Sequence, residues 1–499
     1  MTQAVLTLHP HFKIGAINPR IYGSFIEHLG RAVYNGIYEP THPTADENGF
    51  REDVKALVRE MNVPIIRYPG GNFLSGYKWE DGVGPKENRP RKLDPAWRQL
   101  EPNEVGTDEF HQWAKEVGTE VMMAVNLGTR GPAEAAELLE YCNMPGGSEY
   151  ADMRVKNGHP APYRDEVWCL GNEMDGPWQI GVRTAEDYAD IARKTAGLMK
   201  KIDPSVKLVA CGSSNSYMPT FIDWERTVLE RGYEDIDYIS LHMYYSNWKT
   251  DRPAYIANSV SMDQFIESVV AICDAVGAKK RSKKKINLSF DEWNIWPETT
   301  RCDNEADPWT IGPRREEFFH SLEDALLFGG MMLSLIRHCD RVEMACQAQL
   351  VNVGGPIMTQ PGGGIWKQPS FYPFSLTSTY GRGEALRMEL DSDTYEVKEL
   401  GEVPYLDCAA VQNGDELVIF AINRAQTEEN ALRVDLSAFG PCEIIEHIVL
   451  ENDDIDAINT YEDPDRVKPH ANGNAQVCGN GIESTLAPYS WNMIRISLK

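Results

Sequence analysis

The sequence lacks the cysteine pattern that a zinc ribbon or a disulfide scaffold requires. Its ten cysteines are scattered over 499 residues, and no two form a C-x-x-C pair. Several lie in apolar, strand-like runs, where a free cysteine acts as a small core residue. A chain of this length buries a large core without cross-links. We therefore expect a globular protein whose cysteines are reduced.

Long hydrophobic runs and an excess of positive charge are also missing. The most apolar segment, Phe328–Ile336, is far too short to span a membrane, and residues 1–15 lack the basic and apolar regions of a signal peptide. With 49 Lys and Arg against 75 Asp and Glu, the formal net charge is −26. That charge disfavours nucleic acid and anionic membranes as partners. The sequence predicts a cytoplasmic protein and leaves a neutral ligand such as a sugar open.

Signatures of several common enzyme classes are absent too. The chain contains no G-x-G-x-x-G, Walker, G-x-S-x-G or H-E-x-x-H motif. These absences remove the usual dinucleotide, nucleoside-triphosphate, serine-hydrolase and zincin interpretations.

Eight short apolar runs alternate with amphipathic helical patterns between about residue 20 and residue 350. Nearly continuous apolar strands joined by helices are typical of a parallel sheet that is covered on both faces. Eight strands close a (β/α)₈ barrel, and a doubly wound sheet is the alternative. The eight predicted strands are Ile21–Glu27, Val63–Pro69, Val121–Leu127, Glu166–Asn172, Lys207–Cys211, Tyr238–Tyr244, Ile286–Glu292 and Val342–Gln349.

The pattern changes after about residue 380, where short strand signals replace the helices. Leu406–Val411 and Glu416–Ile422 are separated by an Asn-Gly turn at residues 413–414, which predicts a hairpin. Further strand patterns follow, and the N-terminal run Ala4–Leu8 is able to add another. We predict a barrel over residues 16–380 and a β-sandwich built from residues 1–15 and 381–499.

Two glutamates follow apolar strands at positions where a barrel carries its chemistry. Functional residues of such barrels lie at the C-terminal ends of the strands. Glu173 follows the fourth run and Glu292 ends the seventh, so the two face each other across the mouth. A lone strand-end acid is more often a salt-bridged structural group, but a facing pair of carboxyl groups is what glycoside hydrolysis requires.

Other strand ends supply hydrogen-bonding groups and aromatic rings that suit a neutral, polyhydroxylated ligand. His28 and His242 are equally consistent with core histidines, and with the acids they could form a metal site, although no H-x-H or H-x₃-H spacing supports one. The polar set is Glu27, His28, Arg67, Asn72, Asn126, His242, Tyr244 and Gln349. The candidate sugar platforms, some of which could instead anchor loops, are Trp79, Trp97, Trp178, Trp293 and Trp296.

Six longer motifs are more specific than any single residue. They are INPRIYGSFIEHLGRAVYNGIYEP (17–40), VPIIRYPGGNFLSGYKWEDGVGP (63–85), GNEMDGPWQIG (171–181), YISLHMYYSN (238–247), DEWNIW (291–296) and AQLVNV (348–353). In this order and spacing they resemble the α-L-arabinofuranosidases of glycoside hydrolase family 51. The resemblance extends from about residue 10 to the C-terminus. The two glutamate motifs alone would indicate only the larger clan of retaining barrel glycosidases.

The resemblance implies a (β/α)₈ barrel with a jelly-roll-like sandwich and retaining removal of terminal non-reducing α-L-arabinofuranosyl groups. Arabinan, arabinoxylan or their oligosaccharides would be the substrates, with no cofactor and no metal, and family members of this type are commonly homohexamers. Glu173 matches the general acid/base and Glu292 the nucleophile. The positions implied to contact the sugar or to lie beside the catalytic pair are Glu27, Arg67, Asn72, Trp97, Asn172, His242, Tyr244, Trp296 and Gln349.

The chain departs from the family pattern at three places. Val182 stands where His is common, Ala32 stands where Cys is frequent, and the loop over residues 297–307 is individual. These differences leave the preferred leaving group open. Two other hypotheses also remain at this point: a retaining glycosidase for another sugar, such as a β-xylosidase or an endoglucanase, and a non-catalytic carbohydrate-binding protein on the same scaffold.

Overall fold

Eight parallel strands close into a barrel in the computed structural model, which describes residues 1–247, 251–302 and 308–498. Each predicted apolar run contributes one strand, and closure of the sheet excludes the doubly wound alternative. The last five residues of the loop over 297–307 lie outside the described residues. The strands are β1 (Gly23–Phe25), β2 (Ile65–Tyr68), β3 (Glu120–Val125), β4 (Val167–Leu170), β5 (Lys207–Ala210), β6 (Tyr238–Tyr245), β7 (Asn287–Ile295) and β8 (Val342–Ala348).

Helices surround the barrel and cover the outward faces of the strands. They are α1 (Glu52–Met61), α2 (Thr107–Val117), α3 (Pro132–Asn143), α4 (Glu149–Lys156), α5 (Ala185–Ile202), α6 (Asp223–Gly232), α7 (Arg252–Ile256), α8 (Asn258–Lys280), α9 (Leu322–Arg337) and α10 (Phe371–Tyr380). Single-turn 3₁₀ helices occur at Pro19–Tyr22, Phe73–Gly76, Trp79–Gly82, Lys86–Asn88 and Glu298–Thr300. No helix among the described residues is long and apolar enough to cross a lipid bilayer.

Helix α10 shows why some helices escape prediction from the sequence. Its residues, FYPFSLTSTY, are largely apolar, aromatic or β-branched, and seven of the ten are buried. A helix buried on most sides has no polar face, so its sequence carries no amphipathic period. In contrast, Ser321 caps α9 by accepting a hydrogen bond from the backbone N–H of Asp324, which is the start signal that the sequence displays.

Two antiparallel sheets form the second unit. One contains Glu389–Ser392, Thr2–Thr7, Asn430–Asp435, Gly481–Leu486 and Gln476–Cys478, and the other contains Lys13–Ala16, Glu384–Leu386, Leu406–Asn413, Glu416–Asn423, Ser490–Leu498 and Cys442–Leu450. Thr2–Thr7 pairs in parallel with Asn430–Asp435, within an otherwise antiparallel sheet. The N-terminal run therefore adds a strand to the sandwich, as predicted. Three further two-stranded ribbons are Lys92–Asp94 with Gln99–Glu101, Ile357–Thr359 with Ile365–Lys367, and Thr394–Val397 with Gly401–Pro404.

The predicted hairpin is present, but its turn lies one residue later than expected. Asn413 pairs with Glu416, so Gly414 and Asp415 form the two-residue loop. Gly414 has φ +60°, a conformation that glycine adopts without a Cβ penalty.

A buried ionic cluster centred on Asp407 joins the sandwich to the barrel helices. Its carboxylate accepts hydrogen bonds from Arg337 of α9 (2.7 Å), Ser259 of α8 (2.8 Å) and Arg424. The side chains of Asp407 and Arg424 are 6% and 3% exposed.

We expect Asp407→Asn to lower the free energy of unfolding by about 3–5 kcal/mol, because a buried guanidinium loses its counter-charge. Denaturant titration measures the loss, and the exposed Asp465→Asn, expected to cost under about 1 kcal/mol, is the control. Equal losses would contradict the prediction.

Candidate active site

A bulge in β7 sets the direction of its two acidic residues. Ser289 lies opposite Ser240 of β6, whereas Glu292 lies opposite His242, so β7 contains one extra residue over this stretch. Such bulges redirect side chains and are frequent beside active sites. Asp291 and Glu292 are both buried, and the Asp291 carboxylate accepts hydrogen bonds from Ser289 and from Sγ of Cys169 (3.6 Å).

Glu292 is held in its ionised form. Nη1 of Arg67 donates to Oε1 of Glu292 at 2.6 Å, and the hydroxyl of Tyr244 donates to Oε2 at 2.7 Å. Burial by itself would raise the pKa of Glu292, but the positive charges of His242 and Arg67, together with these hydrogen bonds, hold it below its ordinary value. A buried carboxylate with this environment is chemically suited to act as a nucleophile at neutral pH.

Glu173 has the opposite electrostatic environment. It follows β4 with φ +43°, after Gly171 with φ +92°, and this turn directs its side chain into the mouth of the barrel. Nε1 of Trp178 donates to Oε2 of Glu173 at 2.6 Å. Burial raises the pKa of Glu173, and the charge of Glu292 raises it further, while His242 and Trp178 offset part of the rise. A carboxyl group with a raised pKa is suited to donate a proton.

His242 connects the two acids. Its Nδ1 lies 3.0 Å from Oε1 of Glu173 and 3.7 Å from Oε1 of Glu292. Burial lowers the pKa of His242, but the charges of Glu292 and Glu173 outweigh that effect and raise it. One carboxyl oxygen of each acid and a ring nitrogen of His242 all lie within 4.8 Å of one another. The two carboxyl groups are therefore close enough to act on the same bond.

The same three groups offer a donor set that a metal ion could use, and the electrostatics argue against it. The guanidinium of Arg67 already contacts Glu292, and both acids favour a protonated His242. A bound cation would lie beside two positive charges. The arrangement fits an acid pair better than a metal centre.

A cavity of about 410 Å³ opens above the acids and contains most of the predicted sugar contacts. Glu27 lies at its wall, where the backbone N–H of Phe73 and Nε1 of Trp97 each donate to Oε1 at 2.9 Å. Burial, with the charge of Glu292, raises the pKa of Glu27 to about 8. The lining residues are Glu27, Leu29, Asn72, Trp97, Glu173, Tyr244, Ser246, Glu292, Trp296, Glu298, Ala348, Gln349 and Val353.

Two asparagines and Gln349 complete the hydrogen-bonding wall. Nη2 of Arg67 donates to Oδ1 of Asn172 at 2.8 Å, and Nδ2 of Asn172 donates to Oδ1 of Asn72 at 3.4 Å. The backbone N–H of Glu27 donates to Oε1 of Gln349 at 2.9 Å. These bonds fix amide and carboxyl groups in a pattern suited to sugar hydroxyls.

Four residues of the predicted polar set and sugar platforms lie away from the cavity. His28 contacts Glu101 through Nδ1 at 2.8 Å and so acts as a buried structural histidine. Asn126 donates to the backbone oxygen of Tyr77 at 2.8 Å and shapes a loop. The rings of Trp79 and Trp293 are buried in the core, so they offer no sugar platform. Trp97 and Trp296 line the cavity, and Trp178 is half exposed beside Glu173.

Ser246 and Glu298 line the cavity although the sequence analysis did not select them. Ser246 lies two residues beyond Tyr244, and Glu298 lies two residues beyond Trp296. Alternate residues of a strand share a face, so continuing that alternation one step past the end of β6 would have found Ser246. Glu298 begins the 3₁₀ helix Glu298–Thr300, where strand alternation does not apply, so no such signal marks it.

Comparison with known proteins gives matches over nearly the whole chain. Residues 57–260 match the "Alpha-L-arabinofuranosidase 1 domain" family and residues 291–490 match the "Alpha-L-arabinofuranosidase C-terminal domain" family. The chain is 55% identical to "Intracellular exo-alpha-(1->5)-L-arabinofuranosidase 1" of Bacillus subtilis, with 99% of each chain covered. It is 54% identical to "Intracellular exo-alpha-(1->5)-L-arabinofuranosidase" of Halalkalibacterium halodurans, again over 99% of each.

The fold is also similar to a solved structure. AbfB, described as a family 51 alpha-L-arabinofuranosidase from Bifidobacterium longum, superposes with a TM-score of 0.95 at 42% sequence identity and covers 99% of both chains. The barrel and the sandwich are therefore both shared with that protein.

Proposed function

This chain belongs to the α-L-arabinofuranosidases of glycoside hydrolase family 51, and from that premise we propose that Glu173 and Glu292 carry out a retaining double displacement. The protein is an exo-acting glycoside hydrolase that releases terminal arabinofuranosyl groups. This assignment replaces the two other hypotheses from the sequence, which were activity on xylosides or glucans and a non-catalytic role.

In the first displacement, the carboxylate of Glu292 attacks the anomeric carbon of the terminal sugar. Glu173 gives its proton to the glycosidic oxygen as the bond to the leaving group breaks. The product is an ester between the sugar and Glu292. Arg67 and Tyr244, which hydrogen-bond the two oxygens of Glu292, orient it for the attack.

In the second displacement, Glu173 acts as a base. Formation of the ester removes the negative charge of Glu292, which had raised the pKa of Glu173. Glu173 then takes a proton from water as the water oxygen attacks the anomeric carbon, and Glu292 leaves as a carboxylate. Two inversions give net retention.

One observation carries this proposal: two carboxyl groups with opposite pKa shifts lie close together. One oxygen of each lies within 4.8 Å of the other, which supports the close spacing of about 5–5.5 Å between carboxyl groups that retaining enzymes have, rather than the roughly 6.5–9.5 Å of inverting ones. Turnover in aqueous methanol tests it, since the methyl glycoside cannot mutarotate. Methyl α-L-arabinofuranoside is expected by NMR, and the β anomer would contradict the scheme.

We also propose α-(1→5)-linked arabino-oligosaccharides as the preferred substrate, inside the cell, on the similarity to the two named relatives. Initial rates on α-(1→5)-arabinobiose should exceed those on arabinoxylan oligosaccharides with α-(1→2) or α-(1→3) arabinosyl branches. 4-Nitrophenyl α-L-arabinofuranoside measures activity independent of linkage. Equal rates on all oligosaccharides would contradict this linkage preference alone.

The shape of the pH profile tests the proposed roles. We expect His242→Gln to move both limbs of the kcat/KM profile on arabinobiose to higher pH. His242 lowers the pKa of Glu292, which must be ionised, and that of Glu173, which must be protonated, so both values rise when it is removed.

Tyr244→Phe is the matched control for that measurement. Its hydroxyl stabilises only the charge of Glu292, so its loss should move the acidic limb alone to higher pH. A His242→Gln profile whose basic limb stays in place would contradict the assignment of Glu173 as the acid.

We propose that the protein assembles as a homo-oligomer, namely the hexamer that the resemblance implies. Three exposed apolar side chains support it: Leu93, Trp309 and Ile311. The segment that contains Trp309 and Ile311 is hydrogen-bonded to the ribbon that contains Leu93, because the backbone N–H of Trp309 donates to the backbone oxygen of Arg98 at 2.8 Å. Exposed apolar side chains on adjoining segments suit an apolar interface despite the acidic surface. Light scattering should give six times the mass of one chain. The mass of a single chain at all concentrations would contradict it.

A further inference from the structure

Two polar side chains line the catalytic cavity without a role in the displacement steps. Ser246 and Glu298 border the same space as Glu173 and Glu292. Ser246 directly follows β6, and Glu298 follows β7 by three residues, so both lie past the C-terminal ends of strands, on the mouth side of the barrel, whereas Tyr244 and Glu292 lie within those strands. An exo-acting enzyme places the terminal sugar at the bottom of its pocket and the leaving group toward the mouth.

The segments that carry these two residues are tied together. The backbone N–H of Trp296 donates to the oxygen of Tyr245 at 2.7 Å, and Nδ2 of Asn247 donates to Oγ1 of Thr299 at 2.8 Å. Both contacts bridge the ends of β6 and β7. Ser246 and Glu298 are therefore held at one side of the mouth.

Neither side chain uses its full hydrogen-bonding capacity. Oγ of Ser246 is shielded from solvent and has no partner within the described ranges of the chain. The Glu298 side chain is only 16% exposed, and its carboxylate lies 3.6 Å from Nη1 of Arg301, longer than a charge-assisted hydrogen bond. A shielded hydroxyl without a partner costs free energy that a ligand hydroxyl would recover, and a carboxylate held only by this longer ion pair can still accept hydrogen bonds from a ligand.

We propose that Ser246 and Glu298 form the binding site for the leaving-group sugar and make the enzyme select neutral over anionic leaving groups. This inference rests on the proposed function of the same cavity. A carboxylate accepts hydrogen bonds from sugar hydroxyls and repels the carboxylate of a uronic or aldonic acid. Among the described residues that line the cavity, the charged types are the acids Glu27, Glu173, Glu292 and Glu298, and none is Lys or Arg.

Two derivatives of α-(1→5)-arabinobiose isolate the charge. Reduction of the reducing end gives a neutral alditol, and oxidation gives an anionic aldonate, and both leaving groups are open chains. At low salt, wild-type kcat/KM should be about fivefold higher for the alditol, the size expected for two like charges near 4 Å in water. The ratio should shrink at about 0.5 M salt, where the Debye length is only a few ångström.

Glu298→Gln should remove the preference, because it takes away the negative charge of this side chain while keeping its size. Glu316→Gln is the matched control: Glu316 also pairs with Arg301, at 3.1 Å, but does not line the cavity. It should keep the wild-type ratio. Ser246→Ala should lower kcat/KM for arabinobiose about threefold to tenfold, as expected for one lost hydrogen bond, and should lower it less for the 4-nitrophenyl substrate, whose leaving group has no hydroxyl group to bond.

The 4-nitrophenyl substrate separates the possible failures. If it is turned over while Glu298→Gln keeps the wild-type ratio, the selection role of Glu298 is wrong and the proposed function stands. If wild-type enzyme shows no preference at low salt, the inference fails without any variant. If no arabinofuranoside is cleaved, the proposed function fails and this inference with it.

Discussion

Glu292→Ala is expected to lower kcat on 4-nitrophenyl α-L-arabinofuranoside by roughly 10⁴-fold or more, the scale of removing a catalytic nucleophile. No glycosyl ester forms without the carboxylate, and Arg67 and Tyr244 are left without their acceptor. Added azide should restore part of the rate by entering the space that the side chain vacates. Because only one displacement then occurs, the product should be the β-arabinofuranosyl azide.

The azide product makes this prediction specific to the role of Glu292. Glu292→Gln, which fills the same volume, should be as inactive as Glu292→Ala and should not respond to azide. Formation of the α azide, or a variant that retains substantial activity without azide, would contradict the assignment of Glu292 as nucleophile.

Glu173→Ala is expected to show a loss that depends on the leaving group. Removing a general acid costs about 10²–10⁴-fold when the leaving oxygen needs a proton. Arabinobiose should lose that much in kcat/KM, whereas a dinitrophenyl arabinofuranoside, whose phenolate leaves unaided, should lose little. The ester should then accumulate, because no base activates water, and a burst of phenolate should be visible.

Azide again distinguishes the two roles. With Glu173→Ala it should attack the ester as a second displacement and give the α-arabinofuranosyl azide, opposite to the product of Glu292→Ala. Trp178→Phe is the matched control, since it removes only the hydrogen bond to Glu173 and should lose far less activity on arabinobiose. Equal losses on both leaving groups for Glu173→Ala would contradict its role.

The barrel was predictable because its strands leave a direct trace in the sequence. Each strand is buried on both faces and reads as an apolar run, and the residue type at the end of a run shows what the mouth contains. Glu173 and Glu292 stand out there because a buried acid is costly without a function or a partner. The strand ends and the aromatic residues near them also gave Asn72 and Trp97, both of which line the cavity. The motif resemblance added Asn172, whose Oδ1 accepts a hydrogen bond from Arg67.

Other features depend on the path of the chain in space. His28 follows the first apolar run and His242 lies near the end of the sixth. Only His242 lies between the acids, because the bulge in β7 brings Glu292 opposite it. One extra residue in a strand leaves no visible mark in an apolar run. Trp79 and Trp178 were likewise both candidate sugar platforms. Their burial distinguishes them, since Trp79 lies in the core, whereas Trp178 is half exposed beside Glu173.

The central claim is that the sugar becomes covalently attached to Glu292, and mass spectrometry of the trapped ester tests it most directly. An arabinofuranosyl donor with fluorine in place of its 2-hydroxyl and a dinitrophenolate leaving group forms the ester faster than water releases it. After proteolysis, the added mass is predicted on the peptide that contains Glu292, and at that residue on fragmentation. An adduct on any other side chain, or turnover of this donor with no adduct at all, would contradict the double displacement proposed for this site.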